Sequence, residues 1–406
     1  MSNFEFIALN NLVQRVKVGF VGSIEKYYCD KEHGKLLLRT SNLSGAGIDF
    51  NDVKYITEDF YKRNQKSQLK KYDLLIARHG ENGKADIYET DEPAQALNVV
   101  IVEPDFSKIS PYLLRYFFEL PYVHKQIKGD VGGSVQGVIN TKQISDLIIP
   151  INHSLNYSKI ENTLRILEQK IDNNNKIIGE LAEMAKTIYD YWFLQFEFPN
   201  EEGKPYKSSS GKMVWNEELK REIPEGWKAI KLQDVFSFVK GKIPSITFDD
   251  SMEGVYPYIT IDVANGGKSQ YCFSNDMLVC NGEVIMVMDG AASGDIYIGN
   301  RGVLGSTFAM LKKKREDISD ALIYIILSSR KSVYKKVNTG STVPHANKKF
   351  IENMRAPVKD NMSSFSRVFD EIYKKIELAK RENQELTSLR DFLLPLLMNG
   401  QVSFKE

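Results

Sequence analysis

Glu103, Pro104 and Asp105, followed by Lys108, bring two carboxylates and an amine into six residues, the types a nuclease would use. They fall in one turn between a strand-like run and a helix, so a nuclease is the weak reading of them. No other catalytic set is present in the sequence. There is no P-loop, no Gly-x-Gly-x-x-Gly opening a helix and no His-Glu-x-x-His. The five histidines are scattered, which gives a metal site little support. The chain contains no Asn-Pro pair, so the Asn-Pro-Pro-aromatic tetrad of an adenine methyltransferase cannot be built. Cys272 and Cys280 read as small buried hydrophobes, and with Cys29 they form no CxxC.

Phosphate binding is the chemistry that remains. YKRNQKSQLKKY (61–72) carries five basic residues and no acid, and residues 328–349 carry six and no acid. Such runs hold phosphates by counterion release, or are simply solvated loops. The net charge of +1 gives the whole molecule no strong pull toward a polyanion, so any such grip is local.

Both runs lie near strings that occur twice. GGSVQGVINTKQISDLIIP (132–150) and TGSTVPHANKKFIENMRAP (339–357) share Gly, Ser, Asn, Lys, Ile and Pro at an offset of 207. ISPYLLRYFF (109–118) matches ISDALIYIIL (318–327), two short amphipathic helices with Ser at the N-cap. DIY (86–88) matches DIY (295–297). DLLIARHG (73–80) matches EVIMVMDG (283–290), an acid, a strand-like run and a Gly turn. IALNNLVQRVKVG (7–19) matches IKLQDVFSFVKGK (230–242). Five matches in one order mean two copies of a globular domain whose loops have diverged.

Each copy runs into a long helix. Ile160, Leu164, Leu167, Ile171, Asn174, Ile178, Leu181, Ala185, Ile188 and Trp192 recur in steps of 4 and 3, a heptad seam. Phe365, Phe369, Ile372, Ile376, Ala379, Asn383, Leu386, Arg390, Leu393 and Leu397 repeat the pattern. The single Asn in each seam fixes register, and Pro395 is expected to end the second helix or confine it to a kinked tail. A run of 33 residues spans about 50 Å. The fold class is therefore α+β: two similar α/β domains separated by two long helices that pair as an antiparallel coiled coil, with a pseudo-two-fold internal repeat. The boundaries are 1–150 for the first domain, 151–195 for the first helix, 196–227 for an inter-domain linker, 228–358 for the second domain, and 359–406 for the second helix and tail. No apolar run is long enough for a membrane span, and the N-terminus does not read as a signal peptide, so a cytoplasmic protein is expected. Two non-catalytic domains on such a frame suit a double-helical target with two half-sites.

This arrangement resembles the specificity subunits of type I DNA restriction–modification systems over nearly the whole chain. The marks are the two closing strings, the segment GKPYKSSSGKMVWNEELKREIPEGW (203–227) and LRDFLLPLLMNGQV (389–402). In the first copy GSVQGVIN stands where the second has GSTVPHAN. The resemblance implies two target-recognition domains, each reading one half of a split double-stranded DNA target. It implies helices that set the gap and dock two modification subunits, and a restriction subunit that can join. S-adenosylmethionine would bind those modification subunits; this chain would bind no cofactor or metal and would not be an enzyme. The alternative is a coiled-coil assembly protein whose end domains bind proteins.

Base readout needs bidentate donors and acceptors, while lysines grip phosphates. In the first domain Arg39, Ser41 and Asn42 in LLLRTSNLS, Arg78 and His79 at the Gly80 turn, and Ser134 and Gln136 in the glycine-rich loop meet that need. In the second domain the matching places are Thr260 and Asp262, then Asp289 and Ser293, then Ser341, Thr342 and His345. Set opposite Arg78, Asp289 would give the halves different specificities. These residues could equally cap strands and turns, and His345 could pack on Pro344. Lys142 and Lys349 follow two residues after Asn140 and Asn347, in a helical first turn where a cation calls for an anion, so they are backbone-contact candidates. Tyr191, Trp192, Phe193, Phe392 and Leu396 are either docking surface for modification subunits or caps on the helix ends.

Overall fold

The computed structural model describes residues 4–45, 47–79, 83–129, 138–275, 277–340 and 343–404. It divides into two units, one of residues 1–170 and 385–406, the other of residues 171–384. Each long helix therefore contributes to both.

The first unit has three layers. Strands Val13–Val18, Val99–Pro104, Leu74–Ala77 and Ala85–Ile87 form an antiparallel sheet in that order. Its runs LLIA and VVIVEP are buried throughout because both faces are covered. Leu75, Val99 and Ile101 pack against Leu36 and Leu38 of a second sheet, while Leu74, Ile76, Val100 and Val102 pack against helices. The second sheet runs Tyr28–Cys29, Lys54–Thr57, Gly34–Arg39, Ala94–Leu97, its last pair parallel. Helix Pro111–Glu119 covers the first sheet, capped by Ser110, whose Oγ accepts from the Leu113 N–H.

The second unit repeats this strand for strand. Its first sheet is Phe236–Lys240, Phe308–Lys313, Ile285–Val287 and Ile296–Tyr297, and its second is Gln270–Phe273, Val255–Ile259, Arg301–Leu304 and Val279–Asn281. The outer edges differ in length only. The Val279–Asn281 edge is a single bridge, Gln68 to Gln95, in the first unit; the Tyr28–Cys29 edge is a single bridge, Phe248 to Tyr271, in the second. Ser319 caps Asp320–Ser328 as Ser110 does its counterpart. In both units a short ribbon joins the domain's start to its closing string: Phe4–Ala8 with Ile148–Asn152, and Lys228–Lys231 with Arg355–Val358.

Backbone hydrogen bonds give the true correspondence and correct part of the sequence alignment. Ala77 N–H donates to Lys84 and Val287 N–H to Asp295, so Lys84 matches Asp295. The two DIY triplets are thus out of register by two residues, and their identity is coincidental. Asp86 is fully buried and accepts from the N–H groups of Gly45 and Gly47, whereas Asp295 binds Lys331 and Lys335.

The seam residues face inward on both long helices, Tyr157–Tyr189 and Ser363–Met398, every one buried or half-buried. In the first unit Leu164 shares a core with Leu394 and Leu397, and Arg390 lies 3.9 Å from Glu168. In the second, Asn174 donates to Glu382 at 2.7 Å, Asn383 to Asn175 at 2.8 Å, and Trp192 packs edge-on against Phe365 and Phe369. Within each unit the helices run antiparallel.

Two segments carry more structure than their composition suggests. Of the two outcomes expected at Pro395, an end of the helix is ruled out: the helix continues to Met398, with Leu394, Leu397 and Met398 buried in the first unit's core. Residues 196–227, the expected inter-domain linker, are themselves structured. Met213–Asn216 and Arg221–Pro224 form a hairpin, and Phe196, Phe198 and Trp227 are buried, with Phe198 stacked on Trp227 at 5.1 Å. The Gly, Ser and charge content of this segment masks three aromatic anchors. Among the described residues no helix is long and apolar enough to cross a membrane.

Candidate nucleic-acid interface

The ends of three strands meet on one rim of each unit, and a glycine makes that possible. After Val18, Gly19 N–H donates to Val99 in the first sheet and Phe20 N–H to Ala96 in the second, so the chain crosses between sheets. A Cβ at Gly19 would lie 2.6 Å from the Ala96 carbonyl oxygen. In the second unit Gly241 N–H donates to Phe308 and Lys242 N–H to Leu304, and a Cβ at Gly241 would lie 2.3 Å from the Leu304 oxygen. Only glycine passes either crossing.

The crossing aligns the ends of Val13–Val18, Gly34–Arg39 and Leu74–Ala77 in the first unit. The closing string joins them, because Ile139 N–H donates to Arg78, as Ala346 N–H does to Met288. Arg39, Ser41, Arg78 and His79 therefore share one rim, as do Thr260, Asp262, Asp289 and His345 in the second unit. The paired strands match Arg39 with Thr260 and Ser41 with Asp262. They do not match Arg78 with Asp289. Arg78 stands where the second copy has Met288, Asp289 answers His79, and His345 answers Val138. The expected Arg-for-Asp exchange is an error of one residue.

Several of these side chains are already held. Arg39 donates to Asp52 Oδ2 at 3.0 Å, and that bond, with Lys54, keeps the Asp52 carboxyl below the usual range. Arg78 Nε donates to the Ile139 carbonyl at 2.9 Å, and burial lowers its guanidinium's affinity for its proton. Ser41, His79 and Asp262 are exposed. Thr260 Oγ1 accepts from Val263 N–H and caps a short helix. Asp289 bridges two side chains: Lys240 Nζ donates to Oδ2 at 2.9 Å, and His345 Nδ1 lies 2.8 Å from Oδ1. Burial pushes Asp289 up, but these two bonds outweigh it and hold the carboxyl below its ordinary value. An ionised carboxylate only accepts, so Nδ1 of His345 carries the shared proton. His345 thus binds Asp289 rather than simply packing on Pro344.

Two residues cannot read bases. Asn42 is buried, its Oδ1 accepting from Arg39 N–H and its Nδ2 donating to the Asp49 and Asp52 carbonyls, so it builds the turn. Ser293 is fully buried and accepts from Asn338 at 2.8 Å. Both are polar residues that a sequence cannot tell from rim residues, because burial depends on what packs above them. Ser134, Gln136, Ser341 and Thr342 lie outside the described residues.

Lys142 and Lys349 fall in the first turns of Thr141–Ser145 and Lys348–Asn353, whose N-caps are Asn140 and Asn347 as expected. Among the described residues neither has an ion-pair partner. The basic runs are more neutral than they read. Lys62, Arg63, Lys70 and Lys71 pair with Glu58, Asp59, Glu103 and Asp91, and Lys331 and Lys335 share Asp295. The acids come from elsewhere in the chain, which is why the runs looked unpaired. Glu103 itself is tied to Lys17 and Lys70.

On the helices, Phe392 is 65% exposed, Tyr191 is exposed and Leu396 and Trp192 are half-buried. Phe193 is core, stacked on Tyr189 at 5.1 Å, and cannot dock a partner. Sequence reasoning missed Lys240 and Asp52, which hold rim residues; Lys240 stood in the aligned string 230–242 and was the more legible of the two.

The family described as the type I restriction modification DNA specificity domain matches residues 5–183 and again 224–388. The chain is 27% identical over 171 residues to the type I restriction enzyme MjaVIII specificity subunit of Methanocaldococcus jannaschii, covering 39% of this chain and 40% of that protein. It is 23% identical over 329 residues to the MjaIX specificity subunit of the same organism, 75% of this chain and 71% of that one. The fold is similar to that of a type I restriction–modification system S subunit from M. genitalium, with a TM-score of 0.59 and 16% identity over 98% of this chain and 96% of that one. A fold built twice, with both copies matched, makes the assignment: the chain belongs to the type I restriction modification DNA specificity domain family.

Proposed function

We propose that this chain is the DNA-specificity subunit of a type I restriction–modification complex, each rim reading one half of a bipartite target. The observation that carries the proposal is the pairing of constant scaffold with changed rim. The sheets, crossing glycines and capped helices correspond, while Arg39, Ser41, His79 and Val138 give way to Thr260, Asp262, Asp289 and His345. Different donors and acceptors on equivalent rims suit two different half-sites. Lys142 and Lys349 contact phosphates, and the long helices set the gap. Two modification subunits carrying S-adenosylmethionine dock on the helices, a surface that includes Tyr191 and Phe392, and restriction subunits join them. This chain supplies recognition and no catalytic group. Family membership disfavours the assembly-protein alternative.

The test is to express the chain with its cognate modification subunit and sequence host DNA for modified adenines. Two short defined halves around a fixed gap are expected, and exchanging residues 1–150 should alter one half only. A continuous motif, or no methylation from a stable complex, would overturn the reading.

A further inference from the structure

Each rim also carries an exposed aliphatic side chain that polar readout leaves unused. Val21 is 58% exposed and Ile243 74% exposed. They are equivalent, because each lies two residues beyond the glycine at which the chain crosses between sheets. A single exposed aliphatic needs no explanation. Here two copies that have exchanged Arg39 for Thr260 and His79 for Asp289 keep a β-branched residue at one solvent-facing place. The preceding position shows no such constancy: Phe20 packs edge-on against Phe60, and its counterpart is Lys242.

The side chain has a definite chemistry. A β-branched residue is stiff at its first torsion, so it presents methyl groups in a fixed direction. In the major groove the C5 methyl of thymine is the one apolar group a base edge offers, and aliphatic contact with it discriminates thymine from cytosine. We propose that Val21 and Ile243 are matched specificity determinants, each packing on a thymine methyl in its own half-site. This inference rests on the proposed function and adds an apolar element to each rim's readout. The glycines at 19 and 241 serve it by letting the chain turn out of the first sheet immediately before the contact residue.

The test uses the complex of this chain with its modification subunits and a duplex carrying the mapped motif. Each thymine is replaced in turn by deoxyuridine, which lacks only the C5 methyl, and binding is measured by fluorescence anisotropy. One replacement in each half-site is expected to weaken wild-type binding about fourfold, the value of one buried methyl. Val21→Ala should abolish the uridine effect in one half and leave the other, and Ile243→Ala should do the reverse. Val21→Thr, which keeps the branched shape and one of the two methyls, guards against a packing artefact and should retain part of the effect. The inference is overturned if either half-site has no T·A pair, if the uridine effect survives both alanine variants, or if either variant weakens both halves equally. Specific binding to a bipartite motif with no uridine effect removes this inference and leaves the proposed function standing. A continuous motif removes both.

Discussion

Replacing Arg115 by Leu should cost the first unit about 3–5 kcal/mol at pH 7, the range for breaking a buried ion pair by removing one partner. Arg115 is 6% exposed on the helix Pro111–Glu119. It donates to Glu168 of the first long helix and lies 3.0 Å from Glu119 one turn on. Tyr116 also donates to Glu168, at 3.0 Å, and Arg390 of the second long helix stands 3.9 Å away. Removing the guanidinium leaves two largely buried carboxylates with only Arg390 to answer them. Burial already pushes the Glu119 carboxyl up against the pull of Arg115. Without Arg115 the Glu119 carboxyl should be pushed higher still in the folded unit, which then holds a proton the unfolded chain releases. The loss should therefore shrink as pH falls from 7 to 5, by about 1.4 kcal/mol for each unit of rise. Removing all three charges, as Arg115→Leu with Glu119→Leu and Glu168→Leu, should recover most of the stability. Because the two units need not unfold together, the assay is hydrogen exchange of amides 113–117 under increasing urea. A loss below about 1 kcal/mol at pH 7, or an equal loss at pH 5, would refute an electrostatic origin.

Asp73 is 3% exposed, and burial pushes its carboxyl up to about 6. The folded unit then binds more protons than the unfolded chain between about pH 4 and 6, so stability falls as pH rises through that window, by roughly 3 kcal/mol in all; Asp73→Asn should flatten this trend in urea titrations across pH. Lys142→Ala and Lys349→Ala should each reduce the slope of log affinity against log salt by about 0.9 without changing the methylated motif; a changed motif would make them base readers. Asn174→Leu removes the 2.7 Å bond to Glu382 and should raise the second unit's melting temperature, while spin-label distances across the helix pair broaden as register loosens. An unchanged, narrow distance distribution would mean that packing alone sets the register.

How much of this was legible depends on the range of the interaction concerned. The heptad seams were complete in the sequence, because a helix repeats its own geometry and every seam residue falls on the inner face. The Ser and Asn caps were equally plain, since a cap and the N–H it accepts lie three residues apart. Register between strands was not. Sequence similarity carried DIY onto DIY and set Arg78 opposite Asp289, and backbone pairing moves one by two residues and the other by one. A bulge between Val13 and Arg15 alters the count within the first strand itself, an insertion that composition cannot reveal.

Burial decided which polar residues belong to the rim. Asn42 and Ser293 have the right chemistry, but both are buried, Asn42 inside the turn it builds and Ser293 bonded to Asn338, 45 residues on, whereas Ser41 and Asp262 are exposed. Lys240 became part of the site only because Asp289, 49 residues on, folds back within 2.9 Å of it. The sequence by itself determined the duplication, the paired helices and the absence of a catalytic set, all of which rest on local periodicity or on residue identity. Tertiary structure alone decided which residues share a rim, which charges are neutralised and which aromatics are core, because those depend on contacts between segments whose separation along the chain carries no signal.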